Sequence, residues 1–135
     1  MGRFRKVTDR FSVSPQIGID DVAAAAAEGF TAIINNRPDG EEAGQPTAAE
    51  IGDAAGAARL AYQHIPIVGR PTSDQAAAVR EAARQGKTLA FCRSGTRSIM
   101  AWSLGALEAR DAARDELVRQ GASAGYDLEP ILPIA

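Results

Sequence analysis

Short apolar runs alternate with alanine-rich segments along most of the chain, and this alternation predicts strands and helices in turn. The apolar runs have the length and the Val, Ile, Leu and Phe content of buried strands, whereas the alanine-rich segments have high helical propensity. Strands are predicted at Phe11–Val13, Phe30–Ile34, Leu60–Ile67 and Lys87–Phe91. Because strands that alternate with helices form parallel sheets covered on both faces, we expect a three-layer α/β/α fold with a mainly parallel sheet of four to five strands.

Sequence signals for helix ends support this pattern. A first helix is predicted from Gly18 to Glu28, and two later helices begin with capping boxes at Thr47-Ala48-Ala49-Glu50 and Thr72-Ser73-Asp74-Gln75. The segment after Ser98 is apolar around much of the helix circumference, which predicts a helix in the centre of the domain. A polar helix is predicted near Asp111 to Gln120.

The run Phe91-Cys92-Arg93-Ser94-Gly95-Thr96-Arg97-Ser98 carries the strongest chemical signal. It joins a predicted buried strand to a helix start, where unpaired backbone N–H groups favour anions. A lone cysteine after an apolar run is commonly an inert core residue, but two arginines, a glycine and several hydroxyls here favour a functional loop. We therefore expect Cys92 to be the nucleophile and Arg97 the principal catalytic charge. The anion-binding loop is predicted to comprise Arg93, Ser94, Gly95, Thr96 and Ser98.

The segment from Cys92 to Ser98 resembles the active loop of rhodanese-type sulfurtransferases, in which the cysteine carries a persulfide. It also resembles the cysteine-dependent phosphatase signature of cysteine, five residues and arginine, although only four residues separate Cys92 from Arg97. The stretches Ser12–Gln16, Ile34–Glu41 and His64–Ile67 resemble a bacterial, beta-lactamase-hydrolase-associated family. The likeness runs from about Phe11 to the C-terminus. It implies a dual-specificity-phosphatase-like fold, and members of that family are commonly described as sulfurtransferases, with related domains fused to metallo-hydrolase domains of sulfide metabolism.

Two features of the sequence favour sulfur transfer over phosphate ester hydrolysis. The short loop suits one added sulfur better than a phosphoryl group, and the segment Ile67–Pro71 has no carboxylate where the resemblance implies a general acid. A thiolate that attacks a sulfane sulfur expels a good leaving group and needs no protein acid. We therefore expect a sulfurtransferase that passes sulfane sulfur through a Cys92 persulfide to a thiol or cyanide. A phosphatase acting on phosphotyrosine or small phosphoesters through a phosphocysteine is the alternative, and an anion-binding or redox-sensing module is the third hypothesis.

Six further residues are candidates for substrate contact or for support of the loop: Asn36, Arg37, Asp39, His64, Arg70 and Asp74. Asn36 lies with Asn35 in a predicted turn, where asparagine also has a purely structural use. Asp39 and Asp74 are the possible acids, but a structural role at the helix start is favoured for Asp74, and turn aspartates such as Asp39 commonly form local hydrogen bonds. A structural role is favoured for His64, and a solvated surface position for Arg70.

Composition limits the function classes. The chain has 135 residues and 45% hydrophobic residues, which predicts a single domain over residues 1–135. Its formal net charge of -2 gives no attraction to nucleic acid or to an anionic membrane, and a cytoplasmic location is expected. Residues 1–10 are predicted to form a flexible basic segment. With one cysteine and one histidine, neither a metal site nor a cofactor is expected. The expected partners are a small-molecule sulfur donor and a thiol acceptor, and the sequence leaves the oligomeric state open.

Overall fold

The computed structural model describes residues 3–134, which contain one five-stranded sheet. The sheet order is β1-β2-β5-β3-β4, and the strands are β1 Arg5–Thr8, β2 Phe11–Ser14, β3 Ala32–Asn35, β4 Ala61–His64 and β5 Thr88–Phe91. The pair of β1 and β2 is antiparallel, and the other three pairs are parallel. The predicted mainly parallel α/β sheet is therefore confirmed.

Five helices lie within the described residues: α1 Ile19–Ala27, α2 Ala48–Ala57, α3 Ser73–Ala83, α4 Thr96–Glu108 and α5 Arg114–Ser123. They cover both faces of the sheet, since neighbouring residues of one strand belong to different core clusters. Ile33 packs with residues of α1 and α2, whereas Ile34 packs with residues of α3, α4 and α5. Because side chains alternate across a strand, these two clusters are the two faces of a three-layer fold.

The capping boxes predicted from the sequence form as expected. The Thr47 side chain accepts from the Glu50 amide at the start of α2, and the Thr72 side chain accepts from the Gln75 amide at the start of α3. The central helix is also confirmed, because α4 buries residues on most of its circumference, including Ile99, Ala101 and Leu104 among others.

The N-terminal segment differs from the expectation of a flexible tail. Arg5–Thr8 forms the edge strand β1, which pairs with β2 and buries Val7. Residues 1 and 2 lie outside the described residues. The sequence did not reveal this strand because it has only four residues, most of them polar, and a single buried apolar side chain. The strand forms because its backbone groups hydrogen-bond to β2.

Two other boundaries shift. The strand predicted over Leu60–Ile67 is regular only over Ala61–His64, because Pro66 cannot donate a ladder hydrogen bond. The polar helix begins at Arg114 rather than near Asp111.

The carboxyl ends of the four parallel strands meet at one edge of the sheet, where sites form in open α/β folds. The loops that leave this edge are residues 15–18, 36–47, 65–72 and 92–95. Among residues 3–134 no helix has both the length and the apolar content needed to cross a bilayer.

Candidate active site

Cys92 follows the central strand β5 directly and is fully buried at the base of the loop that leads into α4. The backbone N–H of Gly95 donates a hydrogen bond to Cys92 Sγ at 3.1 Å. Gly95 is the N-cap of α4 and has a φ of 93°, which side-chain-bearing residues rarely adopt. The Gly95 N–H, at the positive end of the α4 dipole, is therefore directed at the sulfur.

Two carbonyl groups of the loop are held by residues outside it. Arg93 O accepts from the Gln16 amide at 3.2 Å, and Ser94 O accepts from the Tyr126 hydroxyl at 2.8 Å. Since the peptide unit is planar and trans, each N–H points away from the carbonyl of its own unit. Within residues 3–134, the amides of Ser94 and Arg97 have no hydrogen-bond partner. These unpaired donors at a helix start form a cradle for an anion.

The Arg97 guanidinium is fixed beside this cradle by residues of two neighbouring loops. Nη1 and Nη2 donate to the two carboxylate oxygens of Glu41 at 2.8 Å each, and Nη1 also donates to Ile67 O at 2.7 Å. A guanidinium has five N–H donors, so the Nε–H and one Nη2–H remain for another anion. The hydrogen bond to Glu41 raises the pKa of Arg97, and the nearby charge of Cys92 raises it further.

Glu41 joins Arg97 to a second arginine that lies beneath the site. The Arg37 side chain is 2% exposed and donates from Nε to Glu41 at 2.9 Å, from Nη1 to Gln16 Oε1 at 3.0 Å and from Nη2 to Glu42 at 3.3 Å. Chiefly through the hydrogen bond from Arg97, and also through Arg37, the pKa of Glu41 falls to about 2. The carboxylate is thus ionised near neutral pH and does not have a proton to donate.

Asn36 and His64, two of the sequence candidates, brace the backbone around the cysteine loop. The Asn36 amide donates to Phe91 O at 2.8 Å, and its side-chain Nδ2 donates to Ile65 O at 2.9 Å. His64 Nε2 lies 2.8 Å from Arg37 O. Asn36 and Arg37 are buried. Asn36 hydrogen-bonds to the last residue of β5 and to the loop after β4, and the Arg37 carbonyl contacts His64 at the end of β4.

The two candidate acids are placed at helix starts. Asp39 Oδ1 accepts from the Ala48 amide at 2.8 Å, which caps α2, and Asp74 is exposed in the first turn of α3. Neither carboxylate is hydrogen-bonded to the cysteine loop in the described part of the chain. Arg70 is exposed, and its Nη2 donates to Ile131 O at 2.8 Å.

The remaining loop side chains divide into an outer and an inner set. Arg93 and Ser94 are exposed at the mouth of the loop, and the hydroxyl oxygens of Ser94 and Thr96 lie 2.9 Å apart. Ser98 is fully buried, and its Oγ has no hydrogen-bond partner among residues 3–134. Ser98 therefore does not cap α4, a position that Gly95 takes instead.

Three side chains that shape the site were not singled out from the sequence: Gln16, Glu41 and Tyr126. Glu41 lies four residues after the candidate Arg37 and ends the stretch Ile34–Glu41 that resembles the bacterial family, which is a usable signal. Tyr126 reaches the loop from beyond α5, and no local pattern marks such a long-range contact.

The sheet order, the cysteine at the end of the central strand and the loop at a helix N-terminus define a cysteine-phosphatase-like fold. The crystal structure of Tk-PTP in its active form matches with a TM-score of 0.70 at 18% identity, over 94% of this chain and 88% of that one. At this identity the likeness concerns the fold alone.

The family model described as "Beta-lactamase hydrolase-like protein, phosphatase-like domain" matches residues 3–109, and the chain belongs to this family. A beta-lactamase hydrolase-like protein of Agrobacterium fabrum is 36% identical over 127 residues, which are 91% of this chain and 29% of the relative. The chain thus spans under a third of the curated relatives it matches. A Neisseria meningitidis protein provisionally assigned as a phosphatase has 30% identity and a TM-score of 0.83, over 96% of this chain and 94% of that one.

Proposed function

We propose that the protein is a cysteine-dependent phosphatase that works through a phosphocysteine on Cys92. The observation that carries this proposal is the position of Cys92 Sγ at the start of α4, 3.1 Å from the Gly95 amide, with the free edge of Arg97 beside it. Membership of the phosphatase-like family and the Neisseria meningitidis structure support the same activity.

In the first step the Cys92 thiolate attacks the phosphorus atom of a phosphate monoester. An Sγ–P bond forms while the bond from phosphorus to the leaving oxygen breaks, and that oxygen takes up the electron pair. The unpaired loop amides and the Nε–H and Nη2–H donors of Arg97 bind the equatorial oxygens. Such preorganised donors stabilise the charge of the transition state better than water does.

In the second step a water molecule attacks the phosphocysteine. A P–O bond forms, the Sγ–P bond breaks, and the thiolate and inorganic phosphate are released. Because the amides that bind the phosphoryl oxygens also stabilise the sulfur anion, the same loop assists both steps. No second cysteine is needed for this cycle.

The surroundings of the loop favour an ester with a good leaving group. Asp39 accepts from the Ala48 amide at the start of α2, Asp74 makes no hydrogen bond to the cysteine loop within residues 3–134, and the low pKa of Glu41 keeps it ionised. A protein acid contributes most when the leaving group is an alkoxide of high pKa. We therefore infer aryl phosphates, including phosphotyrosine, as the substrate class.

Sulfur transfer was the main expectation from the sequence, and the similar proteins favour the phosphatase alternative over it. Two observations still favour a Cys92 persulfide: the spacing of four residues between Cys92 and Arg97, and the lack of a protein acid hydrogen-bonded to the cysteine loop among residues 3–134. Sulfur transfer is retained as a second candidate, which the same experiment tests.

The experiment measures phosphate release from p-nitrophenyl phosphate and from an alkyl phosphate with purified protein. We expect turnover of the aryl ester, far slower turnover of the alkyl ester, and none with Cys92→Ser. A parallel sample is incubated with thiosulfate and its intact mass is measured. No phosphate release together with a Cys92-dependent gain of one sulfur atom would replace the phosphatase by the sulfurtransferase. If the protein neither releases phosphate nor gains a sulfur atom, the third hypothesis, an anion-binding or redox-sensing module, replaces both enzymes.

A further inference from the structure

One peptide unit of the cysteine loop is held at both of its ends. The carbonyl of Ser94 accepts a hydrogen bond from Tyr126 Oη at 2.8 Å, and the N–H of the same unit, contributed by Gly95, donates to Cys92 Sγ at 3.1 Å. A trans peptide is planar with its C=O and N–H pointing in opposite directions. The hydroxyl that binds the carbonyl therefore also sets the direction of the N–H toward the sulfur.

This peptide unit is the one in the loop that can most readily turn over. Gly95 lacks a Cβ and has a φ of 93°, so its backbone can reach conformations that other residues avoid. A turned unit would present the Ser94 carbonyl to the sulfur, where its negative end opposes a thiolate or a bound oxyanion. The Tyr126 hydroxyl opposes that rotation, since its hydrogen bond to the carbonyl would be lost.

Tyr126 is itself held firmly after the end of α5. Its amide donates to Gly121 O at 2.8 Å, and the Arg5 guanidinium lies 5.4 Å from the centroid of its ring. A Cβ on Gly95 would come within 2.1 Å of Tyr126 Oη, so the hydroxyl packs directly on the loop backbone. Burial raises the pKa of Tyr126, and the charge of Cys92 raises it further while Arg5 lowers it. The phenol therefore remains a hydrogen-bond donor at neutral pH.

We propose that Tyr126 is a positioning residue. Its hydrogen bond to the Ser94 carbonyl, the latch, holds the Ser94–Gly95 peptide in the orientation that directs the Gly95 N–H at Cys92 and at the bound anion. The latch rests on the proposed function, because it acts on the loop that binds the phosphoryl group. It also assigns a role at the site to the segment after α5, which lies beyond residues 3–109 matched by the family model. A hydrogen bond to the carbonyl polarises the peptide and makes its N–H a stronger donor.

The test compares two alkylating agents on the only cysteine of the chain. Iodoacetate carries a carboxylate that the cradle can bind, whereas iodoacetamide is neutral, and each forms an Sγ–C bond and releases iodide. The ratio of their rate constants reports anion binding in the loop without any turnover of a phosphoester. Tyr126→Phe removes only the hydroxyl. Tyr62→Phe is the matched control, since the Tyr62 hydroxyl also donates to a backbone carbonyl, that of Ala48 at 2.9 Å, and accepts from Asn35 Nδ2 at 3.1 Å, with neither partner in the cysteine loop.

We expect Tyr126→Phe to lower the ratio of iodoacetate to iodoacetamide rates by about threefold to tenfold, the effect of one neutral hydrogen bond, and Tyr62→Phe to leave it unchanged. For aryl phosphate we expect a higher KM in Tyr126→Phe, and inorganic phosphate should protect Cys92 less well. An unchanged ratio in Tyr126→Phe, an equal fall in both variants or no preference for iodoacetate in the native protein each overturn the latch.

A second variant and a second measurement complete the test of Tyr126. Arg5→Ala removes the guanidinium over the ring from an exposed position and should lower the ratio in the same direction but by less, which serves if Tyr126→Phe does not fold. A native protein that prefers iodoacetate and yet releases no phosphate contradicts the proposed phosphatase activity alone. The effect of Tyr126→Phe on the ratio then decides the latch separately.

Discussion

Glu41 accepts hydrogen bonds from Nη1 and Nη2 of Arg97 with both of its carboxylate oxygens, at 2.8 Å each. The carboxylate binds the outer edge of the guanidinium and leaves its Nε–H edge for the anion. Bidentate pairs of this kind fix geometry as well as supplying energy. Glu41 also binds the buried Arg37, so one carboxylate connects the arginine beneath the site to the arginine within it.

Replacing Glu41 by Gln should therefore weaken both the site and the fold. We expect kcat/KM for an aryl phosphate to fall by at least about tenfold, because Arg97 loses its fixed orientation, as seen for positioning groups in general. The free energy of unfolding should fall by about 1–3 kcal/mol, since a buried guanidinium loses a charged partner. Steady-state kinetics and chemical denaturation measure the two effects.

Glu42→Gln is the control for this change. The Glu42 side chain is 58% exposed and makes a single contact to Arg37 at 3.3 Å. Exposed ion pairs contribute little, so its stability should change by less than about 1 kcal/mol. Equal losses of activity and stability in the two variants would show that these properties depend on the total negative charge rather than on the bidentate pair between Glu41 and Arg97.

The free energy of unfolding at acid pH should depend on the protonation of Glu41. Its pKa is lowered from 4.5 to about 2 in the folded protein. A depressed carboxyl pKa stabilises the fold above the unfolded value, so this contribution is complete above pH 4.5 and is lost as the pH falls toward about 2. Unfolding measured by denaturant at several pH values should show a shallower loss between pH 4.5 and 2 in Glu41→Gln than in the native protein. Identical slopes would contradict the assignment.

Ser98→Ala should leave stability unchanged or raise it slightly. Ser98 Oγ is buried and has no partner among residues 3–134, so its removal leaves no other group unpaired. Deleting an unsatisfied buried polar group relieves its desolvation penalty, which is about 1–3 kcal/mol. A loss of thermal stability would indicate that the hydroxyl is hydrogen-bonded in solution, with Cys92 as the first candidate acceptor.

Much of the fold could be predicted from the sequence because its signals are local. The capping residues Thr47 and Thr72 lie three residues from their partners, and the loop from Cys92 to Arg97 is contiguous. The strand β1 was missed because its stability comes from pairing with β2 rather than from its own residues.

The side chains that hold the loop in place were harder to predict. Glu41 is 56 residues from Arg97, and Tyr126 is 32 residues from Ser94. Contacts at these separations depend on how the helices pack, and no period or spacing encodes them. The chemistry of the loop was therefore visible in the sequence, whereas its preference between sulfur and phosphorus depends on surroundings that only the structure and the relatives supply.

Gly95→Ala tests how tightly the loop backbone is held. A Cβ at Gly95 would lie 2.1 Å from Tyr126 Oη, and the residue has a φ of 93°. Gly44→Ala is the matched control, since Gly44 has a φ of 81° but no atom within 4 Å of the position that a Cβ would take. Both variants carry the left-handed backbone cost of about 1–2 kcal/mol, and only Gly95→Ala must also displace Tyr126 from Ser94. We expect Gly95→Ala to lose more stability in thermal unfolding and nearly all activity, whereas Gly44→Ala keeps its activity.

A double-mutant cycle tests the contact between the two residues. Combining Gly95→Ala with Tyr126→Phe should lower the free energy of unfolding by less than the sum of the two single changes, because the displaced hydroxyl is already gone. Strict additivity in that double-mutant cycle would mean that Tyr126 and Gly95 do not interact.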